Sequence, residues 1–166
     1  IRQLDLNDEN LLSFADGIRS ILRQDPDVLL VGEIRDEKTA RAVLRASLTG
    51  RLVLATLHAA TPVEALRRLE NLNVNIIEFS NQILGIFSQR LVRKIEFNKN
   101  GKLYKGRLPV CEWLKFSKYV KNEIFNHKLE TIKSDKTFKE SIETLIKAKK
   151  TDLEEIERVF GKDGYI

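Results

Sequence analysis

The sequence contains no methionine and only one cysteine, Cys111. A single thiol excludes an internal disulfide and any zinc site built from a cysteine cluster. Long apolar runs are missing as well: a stretch such as Val28 to Val31 is far too short to span a bilayer. No basic, apolar, small-residue leader opens the chain as given, and no secretory address is expected. Both absences point to the cytosol. A start at Ile1 with no methionine anywhere carries the expectation of a piece excised from a longer protein, with function missing along with residues.

What is present is ordinary for a folded protein. Charged residues make up 32% and hydrophobic ones 42% of 166 residues, enough for one good core or for a compact unit with a small appendage. The net charge of +5 is unevenly made. Residues 1–95 hold eleven Arg and two Lys against twelve acids; residues 96–166 hold fourteen Lys and two Arg against twelve acids. Arginine suits fixed bidentate contacts and lysine a solvated surface, so the shift sets an expected boundary near Ile95 between units 1–95 and 96–166. The lysines alternate with Glu and Asp, which favours a solvated face over a nucleic-acid surface.

The first half alternates helix and strand signals. Ser13 to Asp16 reads as a capping box ahead of Phe14, Ile18, Ile21 and Leu22 at helical spacing, and Asp25-Pro26 ends that helix. Val28 to Val31 has the pattern of a fully buried parallel strand. Asp36 can cap a helix striped by Ala40, Val43, Leu44 and Leu48, with Gly50 past its end. Leu52 to Leu57 reads as the next strand, and Thr61-Pro62-Val63-Glu64 opens a helix to about Leu72. Asn75 and Glu78 open another, expected to end near Ser88. Short connections between such elements imply an α/β layer with a parallel sheet.

Beyond it, Leu91 to Phe97 and Lys102 to Trp113 flank a glycine turn as a β-hairpin. From Ser117 the pattern is helical, with one stripe at Phe138, Ile142, Leu145 and Ile146. A capping box at Thr151 to Glu154 opens a second, striped by Leu153, Ile156, Val159 and Phe160. Cys111, between Val110 and Trp113, reads as a small core residue. His127 reads as exposed.

The stretch from Arg23 to Asp36 is an apolar strand that ends in Gly32 and Glu33. A carboxylate at the carboxyl end of a buried strand can hold a Mg²⁺-bound water, and ligands of open α/β sheets bind beyond those ends. Gly32 would allow close backbone approach. Glu33 can equally be a solvated loop acid, with Asp36 a helix cap. The stretch from Thr49 to His58 brings Thr56 and His58 to the end of the next strand. His58 can donate to a terminal phosphate or simply be packed and hydrogen-bonded. Arg35 can touch a phosphate or a neighbouring subunit, or pair with Glu33 or Asp36.

Read together, LRQDPDVLLVGEIRDEKTA, LTGRLVLATLH and the following Arg67-Arg68-Leu69 resemble the secretion ATPase superfamily of type II secretion, type IV pilus assembly and DNA-uptake pili. The resemblance covers about residues 3–95 closely and returns weakly at Tyr104-Lys105-Gly106-Arg107 and around Thr151 to Phe160. It implies a partial RecA-like P-loop NTPase core, a parallel sheet with flanking helices, followed by a β-hairpin and a small all-α C-terminal subdomain. It further implies ATP with Mg²⁺, a homo-hexameric ring and an inner-membrane platform partner, with the protein cytoplasmic and peripheral to the membrane's inner face. By the same resemblance Asp27 to Asp36 is the Walker B segment, with Glu33 assisting Mg²⁺ indirectly. Thr49 to His58 is the histidine box, with His58 sensing the terminal phosphate or the neighbouring subunit. Glu33 and His58 are then the catalytic candidates, and Gly32, Glu33, Arg35, Thr56 and His58 line the nucleotide.

The sequence departs from that family. No G-x-x-x-x-G-K-[ST] string occurs, so the phosphate-cradling loop is absent. The family's other acidic motif, expected just before Ile1, is absent too. Arg51 stands where many members have a first histidine, and the four cysteines that many type II members carry are replaced by a lysine-rich hairpin. No zinc is expected, and the cysteine-free form resembles the competence-pilus branch. The expectation is therefore the carboxyl-terminal portion of a motor ATPase, inactive alone. A non-enzymatic module for subunit packing or platform docking is the alternative, and direct nucleic-acid binding is not expected.

Overall fold

Two apolar tetrapeptides joined through a helix build the first sheet. The computed structural model describes residues 14–99 and 101–162; Ser13 of the expected capping box lies outside them. Helix α1 (Phe14–Leu22) leads to strand β1 (Val28–Val31), helix α2 (Glu37–Leu48) and strand β2 (Leu52–Ala55). Asp25 leaves α1 in the left-handed region at φ 50. The strands pair in parallel, Val28 with Leu52 through Val31 with Ala55. Asp36 caps α2 by accepting from the Thr39 amide at 2.7 Å, and Gly50 follows the helix at φ +81. Asp36→Ala should lower stability by about 1 kcal/mol, read as an earlier urea midpoint at unchanged slope.

β1 is buried on one face only. Leu29 and Val31 enter the core, whereas Val28 and Leu30 are 53% and 70% exposed and Leu52 and Leu54 lie exposed beside them. The expectation of a fully buried strand is thereby corrected. Successive side chains point to opposite sides of a sheet, and the described helices cover one side.

Helices α3 (Pro62–Asn71) and α4 (Ile76–Gln82) follow, capped by Thr61 and Asn75. α4 does not reach Ser88. It ends at Gln82, and β3 (Gly85–Asn98) begins three residues later, pairing antiparallel with β4 (Gly101–Lys115). Gly85, Ile86, Phe87 and Ser88 face Lys115, Leu114, Trp113 and Glu112, so distant pairing overrides the local helical pattern. A Cβ at Gly85 would stand 3.2 Å from the Leu114 carbonyl oxygen, which suits glycine to the crossing. The hairpin is thus longer at its base than the sequence suggests.

Helix α5 (Lys118–Phe125) and a 3-10 turn (Leu129–Thr131) return to the first core, where Val120, Ile124 and Leu129 join Leu66, Phe79 and Leu114. Helices α6 (Phe138–Lys147) and α7 (Leu153–Phe160) cover the hairpin elsewhere, around Val92, Val110, Ile142 and Ile156. Asp152, not Thr151, caps α7, accepting from the Glu155 amide at 3.0 Å. Thr151 is instead buried and donates to the Arg93 carbonyl at 3.1 Å. Cys111 is half-buried rather than a core residue, since its partner in register, Gln89, lies on the outer hairpin face. His127 is exposed.

Candidate nucleotide site at the strand ends

The backbones of β1 and β2 stay side by side past the last ladder residues. Ile34 N–H donates to the Thr56 carbonyl at 2.9 Å, and the Thr56 hydroxyl donates to the Gly32 carbonyl. This double tie fixes residues 32–34 against 56–58. It brings Glu33 to His58, whose Nε2 lies 2.8 Å from Glu33 Oε2. An ionised carboxylate only accepts, so Nε2 carries the proton in this contact. Arg35 Nε pairs with the other oxygen, Oε1. Of the alternatives open for Arg35, the structure has it paired with Glu33; Asp36 is engaged in its cap.

The carboxylate is drawn in while its partner is not: the Glu33 side chain is 16% exposed and His58 91%. The result is a sheltered negative charge between two solvent-facing cationic or hydrogen-bonding groups at the carboxyl ends of adjacent parallel strands. All five residues singled out from the sequence, Gly32, Glu33, Arg35, Thr56 and His58, meet here.

The residues suit the metal side of a triphosphate site. Both Glu33 oxygens already have a protein partner, which leaves lone pairs for metal-bound water rather than a direct coordination shell. No group of three or more His, Cys, Asp or Glu among the described residues is placed to hold an ion directly. A Cβ built on Gly32 meets nothing within 4 Å, so the space in front of the strand ends is open. A loop that cradles phosphates is not among these residues.

Sequence reasoning overlooked a second charged constellation. Glu155, 0% exposed, accepts from the Arg93 backbone N–H and Nε and from Arg158 Nε and Nη2, each at 2.7 Å. The Arg158 guanidinium first, then Arg93, holds its carboxyl down from 4.5 to about 2 against the opposing effect of burial. One signal was available: Glu155 sits on the stripe of Asp152, Ile156 and Val159, the face that packs.

The family model described as type II/IV secretion system protein matches residues 1–158, nearly the whole chain. The chain belongs to that family. Among relatives of this secretion family, the protein transport protein HofB homolog of Haemophilus influenzae is 36% identical over 172 residues, covering 98% of this chain and 35% of that protein. The type IV pilus assembly ATPase PilB of Thermus thermophilus is 45% identical over 95 residues, 57% of this chain and 11% of PilB. The crystal structure of the pilus retraction motor PilT with bound ADP superposes at a TM-score of 0.73, with 31% identity over 91% of this chain and 44% of PilT. The chain therefore spans about a third or less of the length of these two curated relatives. The fold is the α/β, RecA-like core of this family in part, continued by the hairpin and helices. No helix among the described residues is long and apolar enough to cross a membrane.

Proposed function

We propose that this chain is the C-terminal part of a ring-shaped, hexameric ATPase that powers type II secretion, type IV pilus assembly or competence-pseudopilus assembly. The observation that carries the reading is the 2.8 Å contact between Glu33 and His58 across the ends of adjacent parallel strands, in a member of this family. Bound Mg·ATP supplies the phosphoryl group and the metal that neutralises its charge. Glu33 would hold the Mg²⁺ indirectly, through water, with its carboxylate kept in place by His58 and Arg35. His58, 91% exposed, would donate to the terminal phosphate, and the Arg35 guanidinium stands on the other side of the Glu33 carboxylate. Thr56 braces both strands, and Gly32 leaves room for the ligand.

The partners are five further copies of the full-length protein and an inner-membrane platform protein, contacted through the lysine-rich half. The place of action is the cytoplasmic face of the membrane. Neither DNA nor RNA is a partner on this reading.

Phosphoryl transfer depends on positioning the phosphates, so the 166-residue chain alone should show no magnesium-dependent ATP turnover. In the full-length protein His58→Ala should slow turnover by about tenfold or more. Turnover by the isolated chain, or an unchanged rate in His58→Ala, contradicts the proposal.

A further inference from the structure

The hairpin carries a concavity that the nucleotide reading does not use. It has a volume of ≈ 610 Å³ and is lined by Leu91, Arg93, Tyr104, Gly106, Arg107 and Arg158. It shares no residue with the Glu33–His58 site. The ladder is irregular here, shifting between Arg93 and Ile95, and Gly106 sits at φ +78. Such a bulge re-aims side chains.

Three guanidinium groups converge on this concavity. Two of them, Arg93 and Arg158, are fixed by the buried Glu155 carboxylate. Arg93 also lies over the Tyr104 ring, 4.0 Å from its centroid. Asp152, which accepts from the Tyr104 hydroxyl at 2.9 Å, is also paired with Lys102. The third guanidinium, Arg107, is exposed and has no ion pair or hydrogen bond to any described residue.

Arg107 is also directly opposite Arg93 in the strand register. Like charges facing each other across a ladder are destabilising, and a chain under no other constraint has little reason to place them so. Three cations against one resident carboxylate leave about two positive charges to be met from outside. Guanidinium forks match the oxygens of phosphate in bidentate geometry, and two of these three are already locked in orientation.

We propose that this concavity is a phosphate-binding site, taking a phosphate monoester or diphosphate group between Arg107 and the Arg93–Arg158 pair. The group belongs either to a soluble metabolite or to a lipid headgroup, and the two sources share this chemistry.

The test is a nuclear magnetic resonance titration of the 166-residue chain with pyrophosphate, against sodium chloride at matched ionic strength. Saturable shifts are expected at the Arg93 and Arg158 Nε–H groups and the Gly106 and Arg107 amides. Arg107→Gln, which disturbs no contact of the fold, should weaken affinity by about tenfold or more, the value of a charge-assisted hydrogen bond pair. Lys105→Gln, on the neighbouring position, should change it less than twofold. Arg107-dependent sedimentation with phosphatidylcholine vesicles containing phosphatidic acid would assign the group to a lipid; its absence, with pyrophosphate binding intact, assigns it to a soluble ligand. The proposal is overturned if the chloride control reproduces the shifts, or if Arg107→Gln binds as the parent does. Preferential occupation of the site by an acidic peptide over pyrophosphate would overturn it as well.

Discussion

Glu33→Gln in the full-length protein should lower ATP turnover by about a hundredfold or more while leaving nucleotide affinity within a few-fold of the parent. The change is nearly isosteric, so the backbone ties between residues 32–34 and 56–58 remain. What is lost is the charge between His58 and Arg35 that would accept from a metal-bound water. An amide still accepts through its one oxygen, but its nitrogen only donates, and without the charge it neither neutralises Arg35 nor organises the ion. The split between turnover and affinity is the diagnostic part, because a merely structural Glu33 would lose both together. Steady-state hydrolysis alongside equilibrium binding of a fluorescent nucleotide measures it. Wild-type turnover in the variant would remove Glu33 from the chemistry.

Glu155→Gln is expected to be the most destabilising single substitution of a charged residue in the hairpin region. The amide replaces charge-assisted hydrogen bonds by neutral ones, and Arg93 and Arg158, 42% and 54% exposed, are left to solvent, at a cost of about 2 kcal/mol. For a chain of this size that is a fall in melting temperature of roughly 6 °C. The carboxylate receives four hydrogen bonds, one of them from the β3 backbone, so the loss also loosens α7 from the hairpin. The pH dependence has a definite sign. The folded-state value lies near 2, below the ordinary 4.5, so the contribution is fully present above about 4.5 and fades as the pH falls towards about 2. Thermal melts of parent and variant should therefore differ most near neutrality and converge in acid. A difference that stays constant across that range would mean that the charge on Glu155 is not what stabilises the contact.

The strand–helix–strand order was legible because its punctuation is local. Asp36, Thr61 and Asn75 each accept from a helix-terminal amide as their positions suggest, and Gly50 takes the left-handed conformation that only glycine adopts freely. The meeting of Glu33 and His58 was legible for a related reason: both follow short apolar runs, and the parallel pairing of Val28 to Val31 with Leu52 to Ala55 brings their ends together. The end of α4 was not legible, because what stops it is the pairing of Gly85 to Ser88 with Lys115 to Glu112, 30 to 24 positions away. The exposure of Val28 and Leu30 was hidden for the opposite reason. An all-apolar strand looks the same whether one face or both are covered. Glu155 was hard to single out from Glu154 and Glu157, since its burial depends on two arginines, one of them sixty-two positions distant.

β3 and β4 run for 14 and 15 residues, an extended length of about 45 Å. Near its base the hairpin buries Leu114 in one apolar cluster, and farther along it buries Val92 and Val110 in the other. A rod embedded at both places does not act as a hinge. The register between the two clusters, Gly85 to Arg93 against Lys115 to Arg107, is unbroken, and the shift between Arg93 and Ile95 lies on the turn side of both, so the span that joins them is continuous ladder.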